Sequence, residues 1–264
     1  MNAIENRHQD RHIVVTGAGT GIGRAIALRL WAEGARLTLL GRTGQRLEET
    51  AALCQEARAG DALGVTTCDV RERATLDAAM TEAAAARGPL FACIANAGIG
   101  GANEEGPDDR FEDLVATNLT GTYHTFRAAQ QHLAPASSGP RHLVSISSIL
   151  GRFGVPGYTG YCASKTGLLG LVRALAHEGA AEELQVNAIC PGWVDTQMAR
   201  DGIEGMAQGM GTTYEEARAI AMRAVPMGRM SEPEDIAGMV SWLLSADARG
   251  VTGQSLDMNG GAWM

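Results

Sequence analysis

The sequence predicts an α/β fold: a single doubly wound domain with a parallel sheet of about seven strands and helices on both faces. Short apolar runs alternate with helical patterns along the 264 residues. The strands are continuous apolar runs rather than alternating ones, as expected when helices cover both faces of a sheet. Hydrophobic residues make up 45% of the chain, which is enough for a large core. We expect residues 12–264 to form this one domain, after a polar N-terminal tail over 1–11.

Each predicted element follows from a local pattern. In chain order, apolar runs predict strands at 13–16, 37–40, 63–68, 90–95, 142–146, 186–189 and 254–258. Helical patterns cover 22–33, 46–57, 73–87, 109–134 and 159–178. Gly34 is placed to end the first helix, and Ser231-Glu-Pro-Glu234 resembles a capping box that opens the last one. Strands that alternate with helices in this way form right-handed crossovers, so the sheet is predicted to be parallel.

Two stretches between these elements lack a regular pattern. Residues 134–140 are predicted to form a surface turn. Residues 197–225 are rich in Gly and Met and carry no strand signal. We interpret this longer stretch as a mobile substrate lid.

The composition excludes several classes of protein. The formal net charge is −8 and there is no dense Lys/Arg run, so we expect no nucleic-acid binding. The sequence has no apolar run of membrane-spanning length, and its first 11 residues have no apolar core, so we expect neither a membrane span nor a signal peptide. The five cysteines are irregularly spaced without a CxxC pair, which argues against a disulfide scaffold and a zinc site. We therefore expect a cytoplasmic protein without a bound metal.

A glycine-rich turn follows the first strand and opens the first helix. It has the sequence Thr-Gly-Ala-Gly-Thr-Gly-Ile-Gly over residues 16–23. Glycines remove the Cβ atoms that would keep a pyrophosphate away from backbone N–H groups, and the helix start adds the positive end of its dipole. The glycine spacing alone is a weak signal, and its position between a strand and a helix strengthens it. The alternative is a glycine-rich turn that binds no ligand.

Further motifs follow in a fixed order. They are Asn96-Ala-Gly98 after the fourth strand, Asn118 in Thr-Asn-Leu-Thr-Gly, Ser148 after the fifth strand, Tyr161-Cys-Ala-Ser-Lys165, and Pro191-Gly192 after the sixth strand. Together with the TGxxxGxG spacing of the glycine turn, this series resembles the short-chain dehydrogenase/reductase family, in its short, single-domain Rossmann branch. The resemblance covers about residues 12–262. It implies an NAD(P)-dependent oxidoreductase that interconverts a ketone and a secondary alcohol.

Tyr161 and Lys165 are four residues apart, so one face of a helix presents both side chains. Reduction of a ketone needs a proton for the developing alkoxide, and a free tyrosine, with a pKa of about 10, is a poor match to neutral pH. A neighbouring ammonium group favours the phenolate and lowers the pKa of Tyr161. The pair therefore predicts an acid/base group beside the group that tunes it. The alternative is a surface Tyr and Lys on an amphipathic helix.

Ser148 lies 13 residues before Tyr161, which is the usual spacing in the family. Its hydroxyl is placed to donate to the substrate oxygen. Ser145 and Ser147 are alternatives for this role, and the period of a strand puts those two on one face and Ser148 on the other. The resemblance also implies that Asn118 holds a water in a proton relay to solvent. The alternative for Asn118 is a polar residue that bends its helix.

The resemblance implies a set of cofactor contacts. They are Gly17, Gly19, Thr20, Gly21, Ile22, Gly23, Arg42, Asp69, Val70, Asn96, Ala97, Gly98, Tyr161, Lys165, Pro191, Gly192, Val194 and Thr196. In the family, the position of Asp69 contacts the adenine, while Asn96 and Gly98 flank the ribose. The stretch 191–196 surrounds the nicotinamide amide, which is consistent with transfer of the pro-S hydride. For Asp69, a cap of the following helix is the alternative, and both roles are compatible.

The end of the second strand indicates which nicotinamide cofactor is preferred. Enzymes that use NAD place an acid there to bind the adenosine 2′-hydroxyl. That position is Gly41 in this chain, and it is followed by Arg42, which is suited to a 2′-phosphate. The glycine turn has Thr20 where many NADP-preferring relatives carry a second basic residue. We expect NADP(H) to be preferred, and NAD(H) stays the alternative.

The substrate pocket is the part of the site that the sequence determines least. The candidates are mostly apolar side chains: Leu150, Phe153, Val155, Tyr158, Trp193, Met198, Met206 and Met210. For each of them, core packing is an equally good explanation. The stretches 226–229 and 252–261 resemble those of 3-oxoacyl reductases. We expect a small-molecule carbonyl or alcohol substrate, such as a 3-oxoacyl thioester, a polyketide-like carbonyl or a cyclic alcohol.

The resemblance also implies a homotetramer, in which the helices near 109–134 and 159–178 pair between subunits. Two other functions remain open. One is a non-catalytic nucleotide-binding regulator on the same fold, which is expected to lack Ser148, Tyr161 or Lys165. The other is a lyase or isomerase that uses the cofactor transiently. All three side chains are present, and this favours the oxidoreductase.

Overall fold

Seven strands form one parallel sheet in the computed structural model, which describes residues 6–264. The strands are β1 (His12–Thr16), β2 (Arg36–Gly41), β3 (Leu63–Thr67), β4 (Ala92–Ala95), β5 (Arg141–Ile146), β6 (Leu184–Pro191) and β7 (Ser255–Met258). Their order in the sheet is β3-β2-β1-β4-β5-β6-β7, and each neighbouring pair is parallel. The predicted doubly wound α/β fold is confirmed.

Helices connect the strands and cover both faces of the sheet. They are α1 (Gly21–Ala32), α2 (Gly44–Ala57), α3 (Arg73–Arg87), α4 (Phe111–Val115), α5 (Gly121–Gln130), α6 (Thr159–Gly179), α7 (Gln197–Met210), α8 (Tyr214–Arg223) and α9 (Pro233–Leu243). The helix predicted over 109–134 is divided, because a π-helical turn at Ala116–Thr120 separates α4 from α5. The predicted lid over 197–225 contains two helices, α7 and α8.

The order of the strands determines where a ligand can bind. The chain winds outward from β1 to β3, returns to place β4 beside β1, and then winds outward to β7. The carboxyl ends of β1 and β4 therefore meet where the winding reverses, and open α/β sheets bind their ligands at this point. All five residues of β1 are buried, which explains why the strand is a continuous apolar run.

Three apolar clusters hold the fold together. One face of the sheet packs against α1 and α9, where Leu30 and Val240 are fully buried. The other face packs against α3, α5 and α6, where Leu76 and Phe126 are fully buried. A third, smaller cluster lies between α7 and α8 and includes Ile203. The predicted lid therefore has an apolar core of its own.

The N-terminal segment differs from the predicted polar tail. Residues 1–5 lie outside the described residues, but His8 is fully buried. Its Nε2 lies 3.2 Å from Ser241 Oγ in α9 and 3.3 Å from Glu33 Oε2 just after α1. The prediction of a tail is therefore wrong for His8, whereas Asn6 and residues 9–11 are exposed. The sequence pattern misled because a polar residue can be buried when polar partners satisfy it.

The last helix begins one residue later than the predicted capping box. Its N-cap is Glu232 rather than Ser231, and Pro233 is the first helical residue. The backbone N–H of Glu232 donates a 3.0 Å hydrogen bond to Asp235 Oδ2. The box is therefore formed by Glu232 and Asp235.

Three further features of residues 6–264 bear on the function. None of their helices has both the length and the apolar character that crossing a membrane requires. They include no group of three or more His, Cys, Asp or Glu side chains arranged to hold a metal ion. All five cysteines are free thiols, and four of them are buried, as the apolar surroundings in the sequence predict.

Candidate active site

The glycine turn between β1 and α1 has a backbone that only glycine fits. Gly17 and Gly21 have positive φ values of 64° and 51°. A Cβ built on Gly17 would lie 2.8 Å from Ala97 Cα, and one built on Gly23 would lie 2.2 Å from the Gly17 carbonyl oxygen. The turn is thus pressed against the end of β4. Thr20 and Ile22 occupy its remaining positions, at the N-cap and second residue of α1.

Asn96 fixes this turn to β4. Its Nδ2 donates to the carbonyl oxygens of Thr16 (3.0 Å) and Gly17 (3.1 Å). The backbone N–H groups of Asn96 and Ala97 both donate to Thr16 Oγ1, at 3.1 Å. The predicted contacts Gly17, Asn96 and Ala97 therefore form one network at the reversal point of the sheet.

The start of α1 suits a diphosphate. The side chain of Thr20, the N-cap residue, makes no capping hydrogen bond, and the first turn of the helix has no acidic residue. The first N–H groups of a helix lack partners within the helix, and its dipole favours an anion at this end. Because the glycines also leave room for close approach, the residues present fit the diphosphate of a dinucleotide cofactor.

The ends of β2 and β3 carry the next predicted contacts. Arg42 is exposed. It follows Gly41, the last residue of β2, which has no side chain. Asp69 follows β3, and its carboxylate accepts hydrogen bonds from the backbone and guanidinium of Arg71, which lower the pKa of Asp69. Arg42 lowers the pKa of Asp69 further through its charge. Val70 is buried, and its side chain packs against Gly121 at the start of α5.

Tyr161 and Ser148 meet at the carboxyl edge of the sheet. Ser148 follows β5 as the N-cap of a short 3-10 turn, and its Oγ accepts a 3.1 Å hydrogen bond from the N–H of Leu150. Tyr161 lies in the first turn of α6. Burial raises the pKa of the Tyr161 phenol, and the neighbouring Ser148 hydroxyl opposes the rise.

The ammonium group of Lys165 lies close to Tyr161 on the same helix. Its Nζ is 5.6 Å from the centroid of the Tyr161 ring and donates a 2.9 Å hydrogen bond to the Ile146 carbonyl. Burial lowers the pKa of Lys165 to about 8. Burial has the largest effect on the Tyr161 phenol and keeps its pKa above the ordinary value in this structure, so a lowering by Lys165 stays a prediction.

The structure distinguishes Ser148 from its two alternatives. Ser147 is buried and donates to the backbone carbonyl of Lys165 at 2.9 Å. Ser145 is fully buried inside β5, and no hydrogen-bond partner for its Oγ is found among the described residues. Of the three, Ser148 is the one with its hydroxyl beside the phenol of Tyr161.

Asn118 lies in the π-helical turn between α4 and α5. Its Oδ1 accepts from the N–H of Ile99 (2.8 Å), and its Nδ2 donates to the Ile99 carbonyl (3.0 Å) and to Ser164 Oγ (3.2 Å). A Cβ built on Gly98 would lie 3.0 Å from Asn118 Oδ1 and 3.6 Å from Lys165 Nζ. Gly98, Asn118 and Lys165 therefore converge. A π-helical turn at such a place is common in functional sites.

The segment after β6 closes the other side of the site. Pro191 ends the strand, and the N–H of Gly192 donates to the Met258 carbonyl at 2.9 Å. Val194 is buried, and Thr196 is the N-cap of α7, where its Oγ1 accepts from the N–H of Ala199. A Cβ built on Gly21 would lie 3.1 Å from Thr196 Cγ2, so this segment reaches the glycine turn.

The candidate substrate side chains divide into two groups. Met198 is 47% exposed, and its Sδ lies 2.9 Å from a Cβ built on Gly100, so it reaches across to the loop after β4. Trp193 and Met206 instead pack against the core of α7 and α8, which favours the structural role for these two. The others are exposed or partly exposed: Leu150, Phe153, Val155, Tyr158 and Met210.

Two side chains near the site were missed by the sequence analysis. A Cβ built on Gly19 would lie 2.9 Å from Arg46 Cβ, so Arg46 of α2 adjoins the phosphate turn. The signal that the sequence offered for Arg46 was its position in the first turn of α2, the helix that follows β2. Asn103 contacts the start of α6, and no motif in the sequence indicates this contact.

The chain is similar to known reductases over almost its whole length. A family model described as enoyl-(acyl carrier protein) reductase matches residues 17–262. A protein named "Putative ketoacyl reductase" from Streptomyces coelicolor is 36% identical, with 96% of this chain and 97% of that protein aligned. The 3-oxoacyl-[acyl-carrier-protein] reductase of Haemophilus influenzae is 32% identical, with 97% and 99% aligned.

A solved structure is similar to the same extent. A single-substitution variant of the actinorhodin polyketide ketoreductase, solved with NADPH, matches with a TM-score of 0.90 and 34% identity. The match covers 97% of this chain and 98% of that one. The sequence and the backbone therefore lead to the same group of proteins.

Proposed function

This chain belongs to the short-chain dehydrogenase/reductase family, and from that premise we propose that it reduces the ketone of a 3-oxoacyl thioester or of a polyketide-like intermediate. It is an NAD(P)-dependent oxidoreductase that interconverts a ketone and a secondary alcohol. The placement of Ser148 beside the phenol of Tyr161, with Lys165 one turn further along α6, carries the proposal. The substrate class is supported by the relatives, which are named ketoacyl and polyketide ketoreductases.

In the proposed mechanism, Ser148 and Tyr161 hold the substrate oxygen between them. When bound, the reduced nicotinamide supplies the hydride for the carbonyl carbon. The Ser148 hydroxyl donates to the carbonyl oxygen and stabilises the charge that develops there. Because burial raises the pKa of Tyr161, its phenol keeps its proton at neutral pH and is able to give it to the alkoxide. Lys165 and Asn118 lie near Tyr161, and by the family resemblance Asn118 would hold a water that links Lys165 to solvent and returns the proton.

The same proposal assigns the cofactor contacts. The glycine turn, with Gly17, Gly21 and Gly23, would hold the diphosphate, and Asn96 and Gly98 would adjoin the nicotinamide-side ribose. Pro191, Gly192, Val194 and Thr196 would bind the nicotinamide amide; Asp69 and Val70 would adjoin the adenine. The remaining contacts proposed for the glycine turn and the end of β4 are Gly19, Thr20, Ile22 and Ala97.

NADP(H) is the preferred cofactor in this proposal. Gly41 offers no carboxylate to a 2′-hydroxyl, Arg42 directly follows it, and Arg46 adjoins Gly19 of the glycine turn, so both arginines would be available to a 2′-phosphate. In residues 6–264, neither arginine forms an ion pair with a carboxylate, so both are available to an anion. The related polyketide ketoreductase was solved with NADPH, which agrees with this preference.

The segment 197–225 acts as the substrate lid. Its helices α7 and α8 share a small core separate from the main core clusters, so the segment can move as a unit. Met198 faces Gly100, and Leu150, Val155 and Tyr158 would contribute the remaining apolar contacts.

We also propose a homotetramer in the cytoplasm. Phe111 in α4 and Tyr123 in α5 are each 40% exposed, which leaves aromatic surface for the neighbouring subunit of the kind that the family pairs. Free thiols at all five cysteines fit a reducing compartment. Light scattering should give four times the mass of one chain at micromolar concentration, and a monomer there would reject the tetramer.

The test is a reductase assay that follows the absorbance of reduced nicotinamide. Purified protein is mixed with NADPH or NADH and with a ketone panel of 3-oxoacyl thioesters, cyclic diketones and simple ketones. An enoyl thioester is included because the family model is described by enoyl reduction. Oxidation of NADPH by a 3-oxoacyl thioester is expected, and turnover of the enoyl thioester alone would reject ketone reduction.

The Tyr161→Phe variant tests the mechanism. Removal of one hydroxyl eliminates the proton donor but leaves the helix and the glycine turn intact. We expect kcat to fall at least 1,000-fold, or about 4 kcal/mol of transition-state stabilisation, while NADPH still binds. Normal turnover by this variant would overturn the catalytic assignment. NADPH binding without turnover in the wild type would favour the regulator instead.

A further inference from the structure

One residue, Asn103, is linked to the start of α6, which carries Tyr161 and Lys165, and to the start of α4, which leads into the turn that holds Asn118. Asn103 lies in the loop between β4 and α4. Its Oδ1 accepts a 2.9 Å hydrogen bond from the N–H of Gly160, which directly precedes Tyr161. Its Nδ2 donates to Asp109 Oδ1 at 3.1 Å, and that same oxygen accepts from the N–H of Phe111 at the start of α4.

The start of α6 depends on this contact because the helix has no cap of its own. Tyr158 occupies the N-cap position and makes no side-chain capping hydrogen bond. The first N–H with a helical partner is that of Cys162, which donates to the Tyr158 carbonyl. An N-terminal N–H needs an acceptor from outside the helix, and Asn103 supplies one at Gly160 from 57 positions away.

Asn103 holds the approach to α6 as well as its first turn. Its backbone N–H donates to the Gly157 carbonyl at 2.8 Å, and its Nδ2 donates to Thr159 Oγ1 at 2.9 Å. Gly160 also has no room to move towards α4, since a Cβ there would lie 3.0 Å from Phe111 Cα. The first turn of α6 is therefore fixed against the first turn of α4.

The same loop contacts the other parts of the site. Ile99, four positions before Asn103, is held at both its N–H and its carbonyl by Asn118. Gly100 adjoins Met198 of α7. A displacement of the loop would therefore reach Asn118, Tyr161 and the lid together.

We infer that Asn103 is a positioning residue for catalysis, which sets the first turns of α4 and α6 against each other and thereby places Tyr161 beside Ser148. Asn103 does not touch the reacting atoms in this assignment and acts through Gly160. The inference rests on the proposed function, because it assumes that Tyr161 is the acid.

Four variants test this inference: Asn103→Ala, Asn103→Asp, Asp109→Asn and the double exchange N103D/D109N. Asn103→Ala removes the acceptor for Gly160 and the donor for Asp109. Asn103→Asp keeps the acceptor for the Gly160 N–H, but it places a second carboxylate beside that of Asp109. The double exchange restores a donor and an acceptor in reversed positions, since an amide at 109 is able to donate to a carboxylate at 103 and still accept from Phe111.

We expect the Asn103 variants to lower kcat much more than they change KM for NADPH. Asn103→Ala and Asn103→Asp should lower kcat per NADPH-binding site at least tenfold, with KM for NADPH changed less than threefold, and should move the pH midpoint of kcat. The double exchange should return kcat to within threefold of the wild type. A variant that merely unfolds more easily would lose NADPH-binding sites but would keep the pH midpoint and the kcat per site, and that result would overturn the inference.

Hydrogen exchange separates this inference from the proposed function. In Asn103→Ala, the amides of residues 160–162 should exchange at least tenfold faster, with recovery in the double exchange. Faster exchange with wild-type kcat would reject the positioning role, and so would a low kcat with unchanged exchange. If the wild type reduces no ketone, the proposed function fails, and unchanged exchange at 160–162 would separately reject Asn103 as the residue that fixes the helix start.

Discussion

At the scale of single residues, the proposed preference for NADP(H) is tested at Arg42 and Arg46. Arg42→Ala should raise KM for NADPH about tenfold or more, equivalent to about 1.4 kcal/mol, because a charge-assisted pair with the 2′-phosphate is lost. KM for NADH should change less than twofold. Arg46→Ala should act in the same direction with a smaller effect. The measurement is steady-state kinetics with each cofactor in turn.

Arg249→Ala is the matched control for this prediction. Arg249 is an exposed arginine after α9, and its guanidinium makes a long hydrogen bond to the Ala246 carbonyl. Its removal should leave both KM values unchanged. Equal loss of NADPH and NADH binding in Arg42→Ala would contradict a 2′-phosphate contact.

The residues that sequence analysis could find are those that occur in compact motifs. Tyr161 and Lys165 are four positions apart, so helical geometry alone brings them together. Asn103 could not be found in this way, because its acceptor role depends on Gly160, 57 positions later, and on how two loops meet. The pKa of Tyr161 was also beyond reach, since it depends on burial rather than on spacing.

At the scale of elements, the packing of the glycine turn predicts a sharp effect of one methyl group. A Cβ on Gly23 would lie 2.2 Å from the Gly17 carbonyl oxygen and 2.5 Å from Asn96 Nδ2. Neither atom can withdraw, because the two form the hydrogen bond that holds the turn. Gly23→Ala should therefore weaken NADPH binding at least tenfold, as measured by calorimetric titration.

Gly238→Ala is the control at a comparable position within a helix. Its nearest atom, Arg29 Nη1, lies 4.0 Å from the built Cβ, so the methyl group fits. We expect unchanged NADPH binding and a gain of up to about 1 kcal/mol in the free energy of unfolding, from the better helix propensity of alanine. Tight NADPH binding by Gly23→Ala would show that the turn can rearrange.

The elements could be predicted to the extent that their patterns are local. The strands were found because burial on both faces makes them continuous apolar runs, as in β1. The break between α4 and α5 was missed, because a π-helical turn in Ala116–Thr120 contains neither Gly nor Pro to mark it. Helix α7 was not predicted because Gly202, Gly205 and Gly209 weaken the helical signal, although Thr196 caps it and Ile203 anchors it.

At the scale of the whole molecule, three buried histidines predict loss of stability in mild acid. Burial lowers the pKa values of His8 and His12 to about 4 and that of His142 to about 3, from an ordinary value of 6.5. Between pH 6.5 and 4, the unfolded chain therefore binds protons that the folded chain does not, and stability falls as the pH falls. Each histidine should cost up to about 1.4 kcal/mol per pH unit in this window. Urea unfolding at pH 7.5, 6 and 5 measures the effect.

His142→Leu should reduce the loss in the free energy of unfolding between pH 7.5 and pH 5. The ring of His142 lies edge-on to Phe91, and its Nε2 is buried with no hydrogen-bond partner found among residues 6–264. Leucine therefore removes the proton site without leaving a partner unsatisfied. His177→Leu, at an exposed position on α6, should keep the wild-type slope. A free energy of unfolding that is constant from pH 7.5 to 5 would contradict the prediction.

The burial of Lys165 has a consequence for the chemical handling of the protein. It is the only lysine in the sequence, and it is 5% exposed at the candidate active site. Apart from the amino terminus of the chain, the surface therefore presents no primary amine. Cross-linkers and resins that react with amines have almost nothing to attach to, and any lysine acylation that does occur falls on Lys165, at the candidate active site. Attachment for immobilisation or labelling therefore has to use carboxylates or an introduced lysine.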